Sequence, residues 1–323
     1  MKITVVIPNY NGIKFMADCM DALAPQVNED VQVLVVDNGS TDNSVSILEQ
    51  SYPWAEVIKL GENTGFCHAV NVGIRQAESP YVILLNNDTK VLPGYIDALL
   101  DIMERPGNEK VFSASSQMLD MYHPELVDDA GDRYNALGWA FARGKGKPAV
   151  KYDTPAEIFA ACGGASVYRK SVFEEIGYFD ELHFAYLEDL DIGYRAKIYG
   201  YKNLYEPRAK VLHAGSGSSG SRYNAFKTNL SSANSVYVIW KNMPWLQRLI
   251  NLPFLLLGFL VKTLFFVKKG MGSLYVRGCL KGFLRRFHKE ARKNKVPFKW
   301  KHLGNYMGIQ WQLWVNLLRR MWE

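Results

Sequence analysis

The stretch that most constrains this chain is Tyr81-Val82-Ile83-Leu84-Leu85-Asn86-Asn87-Asp88. Five apolar residues run without a break, and the chain then turns polar at once and ends on a carboxylate. A short continuous apolar run suits a strand buried on both faces of a parallel sheet. Ligands of such open sheets sit outside the carboxyl ends of the strands, which is where Asp88 falls. A carboxylate there can hold a hard divalent cation, because Mg²⁺ is typically bound by one or two carboxylates plus phosphate oxygens. Read alone, Asn-Asn-Asp is also ordinary turn chemistry.

The preceding residues repeat the pattern. Apolar runs over residues 2–7, 31–36 and 55–60 read as strands, followed by the Tyr81 run and then 111–115. Helical spacing occupies residues 13–23, 45–50 and 94–103, and Asn63-Thr64-Gly65-Phe66 opens a further helix carrying Asn71 and Arg75. Alternation of this kind predicts an α/β fold with a mostly parallel sheet and right-handed crossovers. Pro8-Asn9-Tyr10-Asn11 follows the first strand, Asp37 ends the second and Asp88 the central one. Parallel strands put these ends on one side, so carboxylates, amides and a ring line one crevice. Nucleotide recognition beside a metal-bound phosphate needs that set. No G-x-x-x-x-G-K-[ST] loop occurs, nor a G-x-G-x-x-G after a strand, which argues against P-loop NTPases and dinucleotide enzymes.

At 323 residues there is material for one large domain or two. The four cysteines lie far apart with no C-x-x-C pair, a pattern that fits a reducing compartment. The N-terminus runs directly into Ile3 to Ile7 without a signal-peptide layout, so an intracellular protein is expected. The net charge of +6 is unevenly spread: residues 262–301 hold thirteen Lys or Arg against the single acid Glu290, leaving the body net acidic. A basic tail on an acidic body points to an anionic surface as partner.

An ordered series of motifs resembles glycosyltransferase family 2, with the GT-A fold, over residues 1 to about 215. It comprises Val6-Ile7-Pro8-Asn9-Tyr10-Asn11, Val35-Val36-Asp37-Asn38-Gly39-Ser40-Thr41-Asp42, Asn63-Thr64-Gly65-Phe66 and Asn86-Asn87-Asp88. It continues through Gly163-Gly164-Ala165, Gly177-Tyr178-Phe179-Asp180-Glu181, Glu188-Asp189-Leu190-Asp191 and His213. In tone it is most similar to bacterial rhamnosyltransferases of surface-polysaccharide synthesis. The resemblance implies that Asp37 contacts the base of a nucleotide-sugar, helped by Pro8, Asn9, Tyr10 and Asn11. It implies that Asn63, Gly65 and Asn71 shape the same pocket, beside Asn86 and Asn87. Asp88 would bind the metal, Mg²⁺ or Mn²⁺, that bridges the two phosphates. Asn86 stands where many relatives carry the first Asp of a D-x-D motif, so the metal would rest on Asp88, on donor oxygens and on His213.

Residues 116–160 lose the strand–helix rhythm, and long irregular segments are commonly functional or mobile. By resemblance they face the acceptor; as composition they read equally as a solvated loop. Glu188-Asp189-Leu190-Asp191 looks like a helix N-terminus, where acids favour the positive helix end and Asp191 can pair with Arg195. By resemblance Asp189 is the general base of an inverting transfer, with Glu188 as its neighbour. His213 ends a strand over 202–212, a position open to a structural or a ligand role. The Gly/Ser run over 214–221 has the composition of a flexible lid.

From Ala225 the chain reads helical, dividing it into a catalytic domain over 1–225 and a basic, aromatic region over 226–323. The apolar run over 252–267 is sixteen residues long, short of the ~20 needed to span a bilayer. Trp, Leu and Phe on one side with Lys and Arg on the other build an interfacial membrane helix. The alternative for that face is packing on the catalytic domain or on a second subunit, as in a homo-oligomer. The expectation is therefore a metal-dependent glycosyltransferase on the cytoplasmic face of the membrane. Its donor would be dTDP-rhamnose or another nucleotide-sugar such as a UDP-sugar, and its acceptor a lipid-linked saccharide. A non-catalytic nucleotide-sugar-binding scaffold is the contrasting class. Interleaved Leu, Phe and Trp fit lipid rather than nucleic acid, and no Q-x-x-R-W motif of a processive synthase is present.

Overall fold

The computed structural model describes residues 1–215 and 224–322. Its parallel half comprises β1 (Ile3–Asn9), α1 (Ile13–Leu23), β2 (Val31–Asp37), α2 (Ser44–Ser51), β3 (Glu56–Lys59), α3 (Phe66–Gln76) and β4 (Tyr81–Leu85). There follow β5 (Thr89–Val91), α4 (Tyr95–Glu104), β6 (Val111–Asp120), β7 (Val127–Asp129), β8 (Asp132–Tyr134), β9 (Ala140–Ala142) and β10 (Ala156–Ile158). β11 (Ala165–Arg169), α5 (Lys170–Ile176), α6 (Glu188–Ile198) and β12 (Lys202–His213) complete the sheet. Its order is β10-β12-β6-β11-β4-β1-β2-β3, with β5 on β12 and β7 on β6. β11 runs antiparallel to both β4 and β6, so the sheet is mixed around a parallel core.

All five residues of β4 are buried, as a two-faced strand requires. Alternation sorts them. Ile83 and Leu85 join Val5, Ile7, Met16, Met20 and Leu99 on the face covered by α1 and α4. Val82 and Leu84 join Val6, Val70, Ile74 and Phe173 on the face covered by α3 and α5. Both cores leave the polar strand ends as the only face of β1, β2 and β4 open to a ligand. The 116–160 segment, expected to be irregular, supplies the short strands β7 to β10 and lies against the sheet edge.

The C-terminal part is α7 (Ala225–Asn242), α8 (Trp245–Lys268), α9 (Gly272–Arg285), α10 (Lys289–Asn294) and α11 (Leu303–Trp322). It shares one core with the residues before it, in which Tyr134, Phe159 and Tyr194 meet Val238, Leu255, Tyr306 and Leu313. The division at residue 225 is thus a change of secondary structure, with continuous packing across it. α9 lies close against α7 because it presents glycine there: a Cβ on Gly282 would fall 2.1 Å from the Ala233 carbonyl oxygen.

The expectation that the apolar run is too short for a bilayer is corrected. α8 runs 24 residues and holds an 18-residue stretch of mean hydropathy 2.0, so by length and composition it is long and apolar enough to cross one. The shortfall arose from starting at Leu252, whereas the helix begins about two turns earlier, at Trp245. One stripe of α8 is nonetheless packed on the protein. Trp139 Nε1 donates to the Gly258 carbonyl at 3.1 Å, and the amides of Asn251 and Gln310 exchange hydrogen bonds at 2.8 and 2.9 Å. Leu256, Leu257, Leu260 and Leu264 on its other side are exposed.

Candidate active site

Parallel register places Asn9 beside Asp37 at the ends of β1 and β2. The buried Asn9 amide donates to Asp37 Oδ1 and Ser44 Oγ, each at 2.9 Å, and its Oδ1 accepts from Asn87 Nδ2 at 2.9 Å. Asp37, Asn9 and Asn87 therefore form one hydrogen-bonded chain across three strand ends. A Cβ on Gly12 would lie 2.1 Å from Asn87 Nδ2, so the following turn closes over this chain only with glycine. Asn11 Oδ1 accepts from the Thr41 N–H at 2.8 Å, tying this turn to the loop after β2. Pro8 is half-buried in β1, while Tyr10 is 47% exposed and offers its ring at the crevice mouth.

Asn38 organises the next wall. Its Oδ1 accepts from the Thr64 N–H at 2.9 Å, its Nδ2 donates to the Gly65 carbonyl at 3.2 Å, and Asn63 Oδ1 accepts from the Gly65 N–H at 3.0 Å. Asn71 is placed differently. It is buried, and its amide is engaged by the Phe179 carbonyl at 2.8 Å and the Phe179 N–H at 3.0 Å. It fastens α3 to the segment leading into α6. Asn86 is held through its backbone, donating to the Gly164 carbonyl at 2.8 Å.

β5 and β12 pair antiparallel with His213 opposite Thr89, which brings the imidazole to Asp88. His213 Nε2 lies 3.5 Å from Asp88 Oδ1, and Nδ1 donates to Asp128 Oδ2 at 2.8 Å. Lys145 pairs with the other oxygen of Asp128. Burial disfavours a charged His213, but hydrogen bonds and charge from Asp128 and Asp88 outweigh it and raise its pKa to about 9. Burial is likewise outweighed at Asp128, which His213 and Lys145 lower to about 2. Among the described residues no three His, Cys, Asp or Glu side chains form a ready-made metal cage. The set does fit a divalent cation shared with a diphosphate: Asp88 and His213 would be its ligands, and Asp128 on the far nitrogen fixes the ring as a carboxylate–histidine pair does.

The second acidic site lies at the start of α6. Phe184, Tyr186 and Leu187 hold φ of 62°, 70° and 66° immediately before Glu188. Left-handed backbone at non-glycine residues costs roughly 1–3 kcal/mol each and persists only where the surroundings impose it. Here Asn234 of α7 imposes it, its Nδ2 meeting the carbonyls of His183, Ala185 and Tyr186 at 3.0, 2.9 and 2.8 Å. Arg285 of α9 donates to Asn234 Oδ1 at 2.7 Å and holds the amide in place. The C-terminal helices therefore aim the residues that follow.

Asp189 accepts from the Leu190 N–H at 2.7 Å and from the Gly163 N–H, yet burial prevails and raises its pKa. Glu188 is buried beside it, with Oε2 lacking any hydrogen-bond partner among the described residues. Burial first and the Asp189 charge second push its pKa well above the usual range. Burial together with the Asp128 and Asp189 charges raises Asp129 to about 7, while burial and the Asp129 and Asp189 charges raise Asp132. These carboxyl groups titrate as a set. If Asp189 removes a proton in the rate-limiting step, kcat falls as pH drops through its raised pKa. The acid limb of a kcat–pH profile is expected above 3.8, the ordinary value for aspartate. A limb at or below that value would remove Asp189 as the base.

Residues 4–177 match the Glycosyl transferase family 2 pattern. The chain belongs to glycosyltransferase family 2. The N-acetylglucosaminyl-diphospho-decaprenol L-rhamnosyltransferase of Mycobacterium tuberculosis is 31% identical over 243 residues, spanning 67% of this chain and 77% of that protein. S. aureus TarS 1–349 in complex with UDP-GlcNAc superposes with TM-score 0.58 at 18% identity, covering 91% of this chain and 84% of that one. GalNAc-T7 with UDP, GalNAc and Mn²⁺ superposes with TM-score 0.59 at 16% identity, over 75% of this chain and 48% of that one. The glycosyltransferase fold is thus the GT-A fold expected from the motif series.

Within this family 2 enzyme the structure brings together Pro8 to Asn11, Asp37, Asn63, Gly65, Asn86, Asn87, Asp88 and His213. Asp189 reaches the same end through Gly163-Gly164, which bonds Asp189 on one side and Asn86 on the other. Sequence reasoning missed Asp128, Lys145, Asn234 and Arg285. The proximity of Asp128-Asp129 to Gly131-Asp132 was the only signal, and it has no periodicity. Of the expected Gly/Ser lid over 214–221, residues 216–221 lie outside the described residues.

Proposed function

We propose that this glycosyltransferase moves L-rhamnose from dTDP-rhamnose, with inversion, onto a lipid-linked saccharide at the cytoplasmic face of the membrane. The observation that carries this reading is its 31% identity to a rhamnosyltransferase named for a diphospho-decaprenol acceptor. Asp37, oriented by Asn9, meets the base, and Tyr10 covers it. Asp88 and His213 would hold Mg²⁺ or Mn²⁺, which when bound would supply positive charge to the departing diphosphate. Asp189 takes the acceptor hydroxyl proton as that oxygen attacks the anomeric carbon. Glu188, uncharged beneath it, avoids a second negative charge in the same place.

Membrane association follows from the exposed face of α8, continued by Phe283, Leu284 and Phe287 around Arg285 and Arg286. An apolar face with flanking cations lies in the interface plane, and the packed stripe of α8 keeps the helix against the protein. The test is incubation of the purified protein with dTDP-, UDP- and GDP-sugars plus Mn²⁺ or Mg²⁺ and a lipid-diphosphate N-acetylglucosamine acceptor. Consumption of dTDP-rhamnose with a rhamnosylated product is expected; turnover of UDP-sugars alone would overturn the donor assignment. In the same preparation Asp88→Asn is expected to weaken Mn²⁺-dependent dTDP binding by about 10–100-fold or more, measured by calorimetry. Unchanged affinity would move the cation elsewhere.

A further inference from the structure

A cavity of about 710 Å³ lies between the β7–β9 segment and helices α7, α8, α9 and α11, and it is not part of the donor crevice. Asp128, the residue that holds His213, is part of its lining, so the cavity adjoins the Asp88–His213 pair. Trp139, Phe266 and Tyr275 form apolar walls, and Lys262 and Arg320 project cations into it. Lys262 lies on the inner stripe of α8, one turn from Gly258 and one from Phe266, both buried. Among the described residues no carboxylate pairs with Lys262 or Arg320; each instead meets a ring, Trp139 at 5.9 Å and Phe141 at 5.0 Å. The acids in the lining are already neutralised or engaged: Asp128 by Lys145 and His213, Asp120 by the N–H groups of Tyr122 and His123 at 2.8 and 3.1 Å.

A sequestered ammonium without a counter-ion is costly, so the charge missing from this cavity is negative and comes with a ligand. The volume falls within the range of small-molecule sites and holds a diphosphate and a sugar, but not a long hydrocarbon. α8, which lines the cavity through Lys262, Phe265 and Phe266, also carries the exposed Leu256, Leu257, Leu260 and Leu264, over which a chain can leave toward lipid. We propose that this cavity seats the diphosphate of a lipid-diphosphate acceptor, with Lys262 and Arg320 as its anion-binding residues and the apolar tail running out along α8. This rests on the lipid-linked acceptor reading and adds the site to it.

The probes are farnesyl diphosphate, farnesol and inorganic diphosphate, titrated calorimetrically below micellar concentration into the full chain and into Lys262→Gln and Arg320→Gln. Farnesyl diphosphate is expected to bind at least about 10-fold tighter than either part alone. Each substitution should cost about 10-fold or more, as for a charged hydrogen bond. Removing an unpaired cation relieves its burial cost, and Arg320 is exposed, so both variants should fold; Mn²⁺-dependent dTDP affinity reports this by staying unchanged. Farnesyl diphosphate affinity equal in all three proteins overturns the site. So does displacement of farnesyl diphosphate by dTDP, which would make the cavity part of the donor crevice. Loss in the variants of binding to phosphatidylglycerol vesicles, with farnesyl diphosphate unaffected, would assign the cations to a phospholipid headgroup instead. If no lipid acceptor is glycosylated yet farnesyl diphosphate binding still depends on Lys262, the acceptor reading fails and the cavity assignment stands. If transfer proceeds in both variants with unchanged acceptor KM, the cavity assignment fails and the acceptor reading stands.

Discussion

Asp189→Asn is expected to lower kcat by ~10²–10⁴-fold while leaving donor affinity near that of the unaltered protein. An amide cannot accept the acceptor proton, and the interaction lost exists only in the transition state, so KM for the donor should hardly move. The substitution keeps the shape that accepts the Leu190 N–H, which protects the start of α6. Glu188→Gln is the matched control. Burial favours the uncharged form of Glu188, and glutamine reproduces a neutral group of the same size, so only a few-fold change in kcat is expected. An active Asp189→Asn beside an inactive Glu188→Gln would show that the proton goes to the other carboxylate.

Much of this site is legible in the sequence because it is built from strand ends. A continuous apolar run that stops on a polar residue marks both the strand and the edge where its chemistry lies. β1, β2 and β4 all announce themselves this way, and their parallel register does the rest. β11 does not. Ala165 to Arg169 is short, and its antiparallel insertion between β4 and β6 is set by pairing partners distant in sequence. The extent of α8 was misread for a different reason: Trp245, Gln247 and Arg248 interrupt the apolar pattern while continuing the helix.

What stayed hidden at the site is what tertiary packing supplies. Asp128 and Lys145 come from a segment without period, and only folding β7 beside β6 carries Asp128 to His213. Asn234 and Arg285 look like ordinary polar residues on helices, yet together they hold the left-handed backbone that presents Asp189. No local pattern foretells a strained turn, because the strain is countered from elsewhere in the chain. The same holds for Asp191.

Read on its helix, Asp191 is half of an i,i+4 pair with Arg195, and exposed pairs of that kind contribute only ~0.2–0.5 kcal/mol. The structure replaces that reading. Asp191 is fully buried, and its Oδ2 accepts from Arg195 Nε at 3.0 Å, Arg195 Nη2 at 2.9 Å and Lys241 Nζ at 2.8 Å. Its Oδ1 accepts from Asn242 Nδ2 at 2.8 Å, and Lys241 also bonds Asp180 at 2.8 Å. This network pins α6 to α7, the helix whose Asn234 holds the turn before the base. Asp191→Asn removes one of two buried acids facing two buried cations, and breaking such a pair typically costs ~3–5 kcal/mol. Urea unfolding at pH 7 should show a loss of that order. The pH dependence has a definite sign. Burial alone would raise the Asp191 pKa, but Arg195 and Lys241 hold it far below the ordinary value. Its stabilisation is therefore fully present above the unfolded-state pKa of ~3.9 and lost only as pH falls below it. The gap between the two proteins should stay constant from pH 7 to about 5 and narrow in stronger acid. A loss below ~1 kcal/mol at pH 7 would mean that α6 and α7 are held together by their apolar contacts alone.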